Sequence, residues 1–205
     1  MSQSYNIIIS GVGGQGVVLV SNVLGEACVL SGKRAISGEM FGLAQRSGSV
    51  YIHFRIGENM YSPLIPYGRA DIIMSQEVSE ALRYLLYLKP NGIVVTNTLL
   101  VHPPGESQDL VKKKIGKYAS YDDIVRNIRS SGAELFQIDA LALAEKAGDP
   151  IAENVVMLGG ICALKGFPLE TDKVEMAVEN TVPAKARDIN IEAFRLGYSS
   201  IKGHG

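Results

Sequence analysis

Tyr5-Asn6-Ile7-Ile8-Ile9-Ser10-Gly11-Val12-Gly13-Gly14-Gln15-Gly16 is the stretch whose reading decides the fold. An apolar run enters a turn holding four glycines in six positions, and the residues after it have helical periodicity. A glycine-rich link from strand to helix brings backbone N–H groups close to a ligand oxygen, with the helix N-terminus behind them. The segment predicts a strand at Tyr5–Ser10 and a helix over Gln15–Ser31, with Val17, Val20, Leu24, Ala27 and Cys28 as its apolar stripe. Gly25 within this helix is expected to permit close approach to the sheet, and Gly32 to end it.

The pattern after the turn sets this chain apart from an ordinary dinucleotide-binding domain. Arg34–Ser37 reads as a short second strand. A dinucleotide fingerprint needs an acid at the end of that strand to hold the ribose hydroxyls. The window Ser31–Ser37 carries Lys33 and Arg34 but no acid, and Glu39 stands among Gly38, Met40 and Phe41. A standard NAD site is therefore disfavoured. Ser49, Tyr51, His53 and Arg55 then alternate with Val50, Ile52, Phe54 and Ile56, the period-two mark of an antiparallel strand with one solvated or interface face. Gly57-Glu58-Asn59 predicts a turn into a partner strand around Met60–Ser62.

Further along, Asp71–Met74 predicts a buried strand. Val78–Leu88 predicts a helix with Val78, Ala81, Leu82, Leu85 and Leu86 inward, stopped by Lys89-Pro90-Asn91-Gly92. Ile93–Asn97 returns as a strand, and Leu99–Gly116, with Pro103-Pro104 and Lys112–Lys114, reads as a surface excursion. Tyr121–Ile128 is expected as a helix, Glu134–Ile138 as a strand, and Asp139 as the cap of helix Ala140–Ala147. The last third reads as helices Ile151–Lys165, Thr171–Asn180 and Asp188–Tyr198, with Gly159-Gly160 marking a tight helix contact. These elements predict an α/β fold: a Rossmann-like, mostly parallel sheet with helices on both faces, an antiparallel hairpin insertion and a helical C-terminus. Residues 1–205 are read as one domain, a length that supports one sizeable core.

Composition narrows the partners. With 46% hydrophobic and 20% charged residues and a net charge of −1, nothing favours nucleic acid or an anionic membrane surface. No apolar run reaches the roughly 18 residues of a membrane span, and no basic stretch precedes an apolar one at the start, so a cytoplasmic chain is expected. Cys28 and Cys162, 134 positions apart, read as buried free thiols. Two thiolates cannot hold a cubane iron–sulfur cluster, which takes about four. His53, His102 and His204 are scattered without metal-ligand spacing.

A second dense segment, Ser37-Gly38-Glu39-Met40-Phe41-Gly42-Leu43-Ala44-Gln45-Arg46-Ser47-Gly48-Ser49, has no sustained period and mixes small and polar residues. Such a stretch lines a site or an interface. The Arg46 fork could clamp an anion, while Gln45 and Ser47 offer hydrogen bonds. The plain alternative is a surface pair between Glu39 and Arg46.

GVGGQG at Gly11–Gly16, GEMFGLAQRSGSVYIHFRIG at Gly38–Gly57 and ADIIMSQEVSEALRYLLYLKPNGIVVTNT at Ala70–Thr98 resemble the gamma subunit or domain of the 2-oxoacid:ferredoxin oxidoreductases. Within that family the chain is most similar to the small subunit of the indolepyruvate type. ENVVMLGG at Glu153–Gly160 and NIEAFRLGY at Asn190–Tyr198 extend the likeness over nearly the whole chain. Phe41 departs from the histidine many relatives have there, and Ser47 from their frequent glycine.

The resemblance implies an assembled enzyme that converts a 2-oxoacid, coenzyme A and oxidised ferredoxin into an acyl-CoA, carbon dioxide and reduced ferredoxin. It implies that thiamine diphosphate, magnesium and the iron–sulfur clusters sit on a large partner subunit and that this chain alone holds no cofactor and is inactive. Ferredoxin is met through the complex. Carried over by position, the cofactor-binding surface comprises Gly11, Gly13, Gly14, Gln15, Gly16, Glu39, Gln45, Arg46, Ser47 and Gly48, with no catalytic or metal-ligating residue. In isolation the chain is expected to form a homodimer through apolar surface a partner would cover. The competing readings are a free-standing Rossmann-like nucleotide-binding oxidoreductase and a ligand-free interaction module.

Overall fold

The computed structural model describes residues 4–41, 48–101 and 119–202. Six strands form one sheet: β1 (Tyr5–Val12), β2 (Ala35–Phe41), β3 (Ser49–Ile56), β4 (Ala70–Ser75), β5 (Leu88–Asn97) and β6 (Glu134–Ile138). Their order is β2-β3-β1-β4-β5-β6. β1, β4, β5 and β6 run parallel, whereas β3 lies antiparallel between β1 and β2. The described residues also form seven helices: α1 (Val17–Leu30), α2 (Val78–Arg83), α3 (Tyr121–Ser130), α4 (Ala140–Ala147), α5 (Glu153–Cys162), α6 (Thr171–Thr181) and α7 (Arg187–Lys202). The expected fold class holds.

Alternation along β1 divides the core. Ile7 and Ile9 pack with α1 and α4 to α7 on one face, while Ile8 packs with α2 and α3 on the other. Seven apolar or small residues of α5 are buried in unbroken sequence, Val155 to Ile161, so this helix lies inside the helical layer. The double glycine makes that possible. A Cβ on Gly159 would stand 2.0 Å from the Phe194 carbonyl oxygen, and one on Gly197 of α7 would stand 1.9 Å from that of Val156. Gly25 behaves differently from expectation. A Cβ there meets nothing within 4 Å, because this side of α1 stands off from β2 and β3 across a surface hollow.

The hairpin forms with a different partner from the one expected. β3 pairs with β2 along seven residues and with β1 along eight, so both its edges are occupied and Met60–Ser62 cannot join it. The chain after β3 instead crosses the sheet face irregularly. Pro63 and Pro66 deny it ladder donors, and Met60 inserts into the interior, its carbonyl accepting from the Arg34 guanidinium. This crossing also covers part of the polar face of β3, burying His53 and leaving Ser49, Tyr51 and Arg55 half-buried. His53 is 2% exposed and accepts the Ile65 N–H at Nδ1, 3.1 Å away. Tyr51 stacks on Tyr84 with centroids 4.3 Å apart, and Arg55 bonds to Asn6.

Two boundaries shift for local reasons. The second strand is longer than Arg34–Ser37 because its whole length pairs with β3. The helix expected over Val78–Leu88 stops at Arg83, and Leu85–Tyr87 forms a single tight 3₁₀ turn. The Leu86 and Tyr87 carbonyls accept from Gly68 and Arg69, which turns Leu86 outward to 75% exposure. Most of the excursion expected at Leu99–Gly116 lies outside the described residues.

Candidate ligand-binding site

The sheet order places the glycine turn at a switch point. From β1 the chain leaves through α1 toward β2 on one side, while β4 and β5 continue on the other. In open α/β sheets a crevice forms outside the carboxyl ends of the strands at such a point. Here the Gln15 side chain closes the turn. Its Oε1 accepts the Val12 N–H at 2.7 Å, and its own backbone N–H donates to the Val12 carbonyl at 3.1 Å.

Gly14 has φ +100° and Gly16 φ +71°, left-handed conformations that favour glycine. Gly16 is also the N-cap of α1, with no side chain capping it, so the first-turn N–H groups keep their positive end toward the crevice. A Cβ on Gly16 would lie 2.1 Å from Asn154 Nδ2, which donates to the Gly16 carbonyl at 3.4 Å. Gly11 is buried underneath, where a Cβ would crowd Gln15, Gln76 and Val17 at 2.8–3.0 Å.

Above this turn lies a cleft of about 530 Å³ bordered by Gly14, Gln15, Gly16, Gln76, Leu99 and Glu153, with Ile151 at its lip. Glu153 is its one acid and no described lining residue is basic. The Glu153 carboxylate accepts from Asn97 Nδ2 at 2.9 Å and sits in the first turn of α5, where the helix dipole favours it. Gln76 is 2% exposed, and its Nε2 has no hydrogen-bond partner among the described residues. Its backbone N–H donates to the Ser10 carbonyl at 2.9 Å, extending the β1–β4 pairing by one rung.

Of the ten residues expected at the site, Gly14, Gln15 and Gly16 border the cleft and Gly11 supports it. Gly13 is exposed, and its N–H donates to the Gly48 carbonyl at 3.0 Å, which brings the far end of the second segment to the turn. Glu39 is exposed on β2 and does not border the cleft. Gln45, Arg46 and Ser47 lie outside the described residues. The position of Glu39 also bears on dinucleotide binding. Although β2 reaches Phe41 and thus contains this acid, β3 separates β2 from β1. Two strand spacings, about 10 Å, put the carboxylate one strand too far out for a ribose held at the turn. Gln76, Leu99, Ile151, Glu153 and Asn154 were not anticipated. The polar pair Ser75-Gln76 after the buried run Ile72–Met74 was the available signal, since parallel strands carry their site residues at that end.

Next to the turn, Ser49 hydrogen-bonds the buried Glu80 carboxylate and the Tyr84 hydroxyl, while Arg83 Nε donates to Glu80 at 2.9 Å. Burial raises the Tyr84 phenol above its ordinary range. Among the described residues no three His, Cys, Asp or Glu side chains gather as metal ligands, and no helix is long and apolar enough to cross a membrane.

A six-stranded, mostly parallel sheet with a glycine turn and cleft at its switch point defines a Rossmann-like α/β protein. The chain belongs to the pyruvate ferredoxin/flavodoxin oxidoreductase family, which matches residues 6–200. It is 39% identical over 201 residues to indolepyruvate oxidoreductase subunit IorB of Pyrococcus horikoshii, covering 98% of this chain and 97% of that one. The gamma subunit of a keto/oxoacid ferredoxin oxidoreductase from Geobacter sulfurreducens shares the fold, with a TM-score of 0.71 at 22% identity over 97% of this chain and 99% of that one. So does part of the 2-oxoglutarate:ferredoxin oxidoreductase of Magnetococcus marinus, solved with 2-oxoglutarate, coenzyme A and succinyl-CoA bound. There the TM-score is 0.74 at 17% identity, and all of this chain covers 32% of that one.

Proposed function

We propose that residues 1–205 act as one gamma-type domain, the small subunit of a 2-oxoacid:ferredoxin oxidoreductase of the indolepyruvate type, and that the glycine turn forms one side of its coenzyme A site. The assembled enzyme converts an arylpyruvate, coenzyme A and oxidised ferredoxin into an aryl-acetyl-CoA, carbon dioxide and reduced ferredoxin in the cytoplasm. The observation that carries the ligand reading is the cleft at the switch point. An uncapped helix N-terminus with glycine N–H groups at one end suits a diphosphate, and the apolar lip of Leu99 and Ile151 suits an extended arm. The Magnetococcus relative, whose matching part shares this fold, is described with coenzyme A bound. The indolepyruvate assignment rests on the IorB likeness.

Thiamine diphosphate, magnesium and the iron–sulfur clusters belong, in this reading, to a large partner subunit through which ferredoxin is met. The residues of this chain do not fit a cluster: Cys28 and Cys162 stand on different helices, and burial raises both thiols, Cys28 to about 11. The surface shared with the partner would include Glu39, Gln45, Arg46, Ser47 and Gly48. The test is reconstitution. The purified chain should reduce neither ferredoxin nor a viologen dye with indolepyruvate and coenzyme A. Adding the cluster-loaded large subunit and thiamine diphosphate should restore coenzyme A-dependent reduction. Full activity from this chain alone, or from the large subunit without it, defeats the proposal.

A further inference from the structure

The one strongly unsatisfied group at the cleft is the Gln76 amide. Its Nε2 is sealed from solvent with no partner among the described residues, although the residue borders the cleft. A buried donor left unpaired is unfavourable, and such groups call for a specific explanation. A half-turn of the terminal torsion exchanges amide nitrogen and oxygen at nearly constant shape, so the donor faces the cleft without repacking and Oε1 takes the sealed place, where an unpaired acceptor costs less than an unpaired donor. Gln76 is otherwise anchored through its backbone to Ser10, and Gly11 leaves the space its Cβ occupies. The side chain thus stands on a fixed base at the junction of β1 and β4.

What it would meet follows from the lining. Glu153 is acidic, the described lining holds no cation, and Leu19, Leu99, Pro150 and Ile151 supply apolar surface. A charged phosphate is favoured at the α1 end and disfavoured beside Glu153. The stretch over Gln76 suits an uncharged carbonyl flanked by methylene groups. We infer that Gln76 is a ligand-binding residue whose Nε2 donates to an amide carbonyl in the arm of a coenzyme A-type ligand, the diphosphate lying toward the glycine turn. This rests on the coenzyme A reading above and adds the residue and the part of the ligand it reads.

The test uses the reconstituted two-subunit enzyme and Gln76→Met, which keeps length and removes both amide atoms. The KM for coenzyme A should rise about five- to tenfold, the range a lost neutral hydrogen bond supports. The KM for the oxoacid, the activation constant for thiamine diphosphate and kcat should hold. The inhibition constant of 4′-phosphopantetheine, which has the amide arm and one phosphate but lacks the 3′-phosphoadenylate, should rise by the same factor. The free variant should unfold at no lower temperature than the parent, since an unpaired buried donor has gone.

An unchanged KM for coenzyme A overturns the proposal, as does a phosphopantetheine constant that stays put while the coenzyme A KM rises. A fall in kcat and unfolding temperature without a change in KM overturns it too. A Gly14→Asn variant, whose Cβ meets open space but whose φ of +100° strains the turn itself, separates the two readings. If it raises the KM for coenzyme A and Gln76→Met does not, the turn keeps its role and Gln76 loses its own. If neither substitution raises it, the coenzyme A reading itself fails.

Discussion

The Gly13 N–H donates to the Gly48 carbonyl at 3.0 Å, joining two segments 35 positions apart, from 13 to 48, by backbone alone. The bond continues the β1–β3 ladder one rung beyond Val12 and Ser49. It makes the geometry of the glycine turn depend on where β3 begins. That point is held in turn by Ser49, bonded to the Glu80 carboxylate and the Tyr84 hydroxyl. The antiparallel insertion is thus part of the site: β3 is the support against which the turn closes.

Gln15 should be the residue on which the turn's shape depends most directly. Gln15→Ala removes the acceptor of the Val12 N–H and should destabilise the chain by about 1 kcal/mol in urea unfolding. Gln15→Glu keeps an acceptor in place near a helix N-terminus and should unfold like the parent. Its added negative charge borders the cleft, so the KM for coenzyme A should rise in the reconstituted enzyme and the effect should shrink with added salt. An alanine variant as stable as the parent would remove the side chain from the account of the turn.

Glycines in the helical layer should split by what surrounds them. Gly159→Ala and Gly197→Ala each force a methyl group to about 2 Å from a carbonyl oxygen of the facing helix, and backbone cannot yield as a side chain does. Each should cost about 3 kcal/mol or more, a large share of the roughly 5–15 kcal/mol that holds a domain. Gly25→Ala, in a helix interior with open space outside, should instead stabilise by about 0.5–1 kcal/mol. Chemical unfolding of the three variants checks both signs at once.

This contrast shows what the sequence could and could not convey. Gly159-Gly160 was legible as a contact because it interrupts an otherwise apolar helix. Gly25 looks alike in sequence, and its surroundings are set by which way α1 is rolled on the sheet. The alternation in β3 correctly marked an antiparallel strand, but periodicity names neither partner nor cover. That β2 and β1 take both edges, and that Met60 to Arg69 roofs part of the polar face, are tertiary outcomes. Within the site, the glycine turn was legible because its backbone demands glycine. Gln76 and Glu153 were not, because a lone amide and a lone acid become site residues only when topology brings two strand ends and a helix start together.

The thiols should be inert in the folded chain. Burial raises Cys28 to about 11 against the opposing pull of Lys33, and burial alone raises Cys162. The reactive species is the thiolate, so at pH 8 Cys28 offers roughly one part in a thousand of it, inside a nearly inaccessible site. Iodoacetamide at pH 8 should label neither residue within an hour in buffer and both promptly in denaturant, as mass spectrometry would show. Rapid labelling of native protein at Cys28 would mean that the α1 layer opens locally far more easily than its packing implies.

His53 should make stability fall on mild acidification. Burial, assisted by the neighbouring Arg55, lowers its pKa below the ordinary value of 6.5, and its Nδ1 must be unprotonated to accept the Ile65 N–H. Tyr51 and Tyr87 flank the ring edge-on at 5.3 and 5.1 Å. Between the folded and unfolded pKa values the unfolded chain binds the extra proton, so stability rises with pH there. The contribution is complete above about pH 6.5 and is lost as the pH falls through the lower folded value, each tenfold weakening of proton affinity being worth about 1.4 kcal/mol. His53→Gln, which can present an acceptor to Ile65 without titrating, should flatten this part of the profile while lowering stability at pH 8. Urea unfolding at intervals from pH 8 to pH 5 measures both. Parallel profiles for parent and variant would assign the acid sensitivity to other groups.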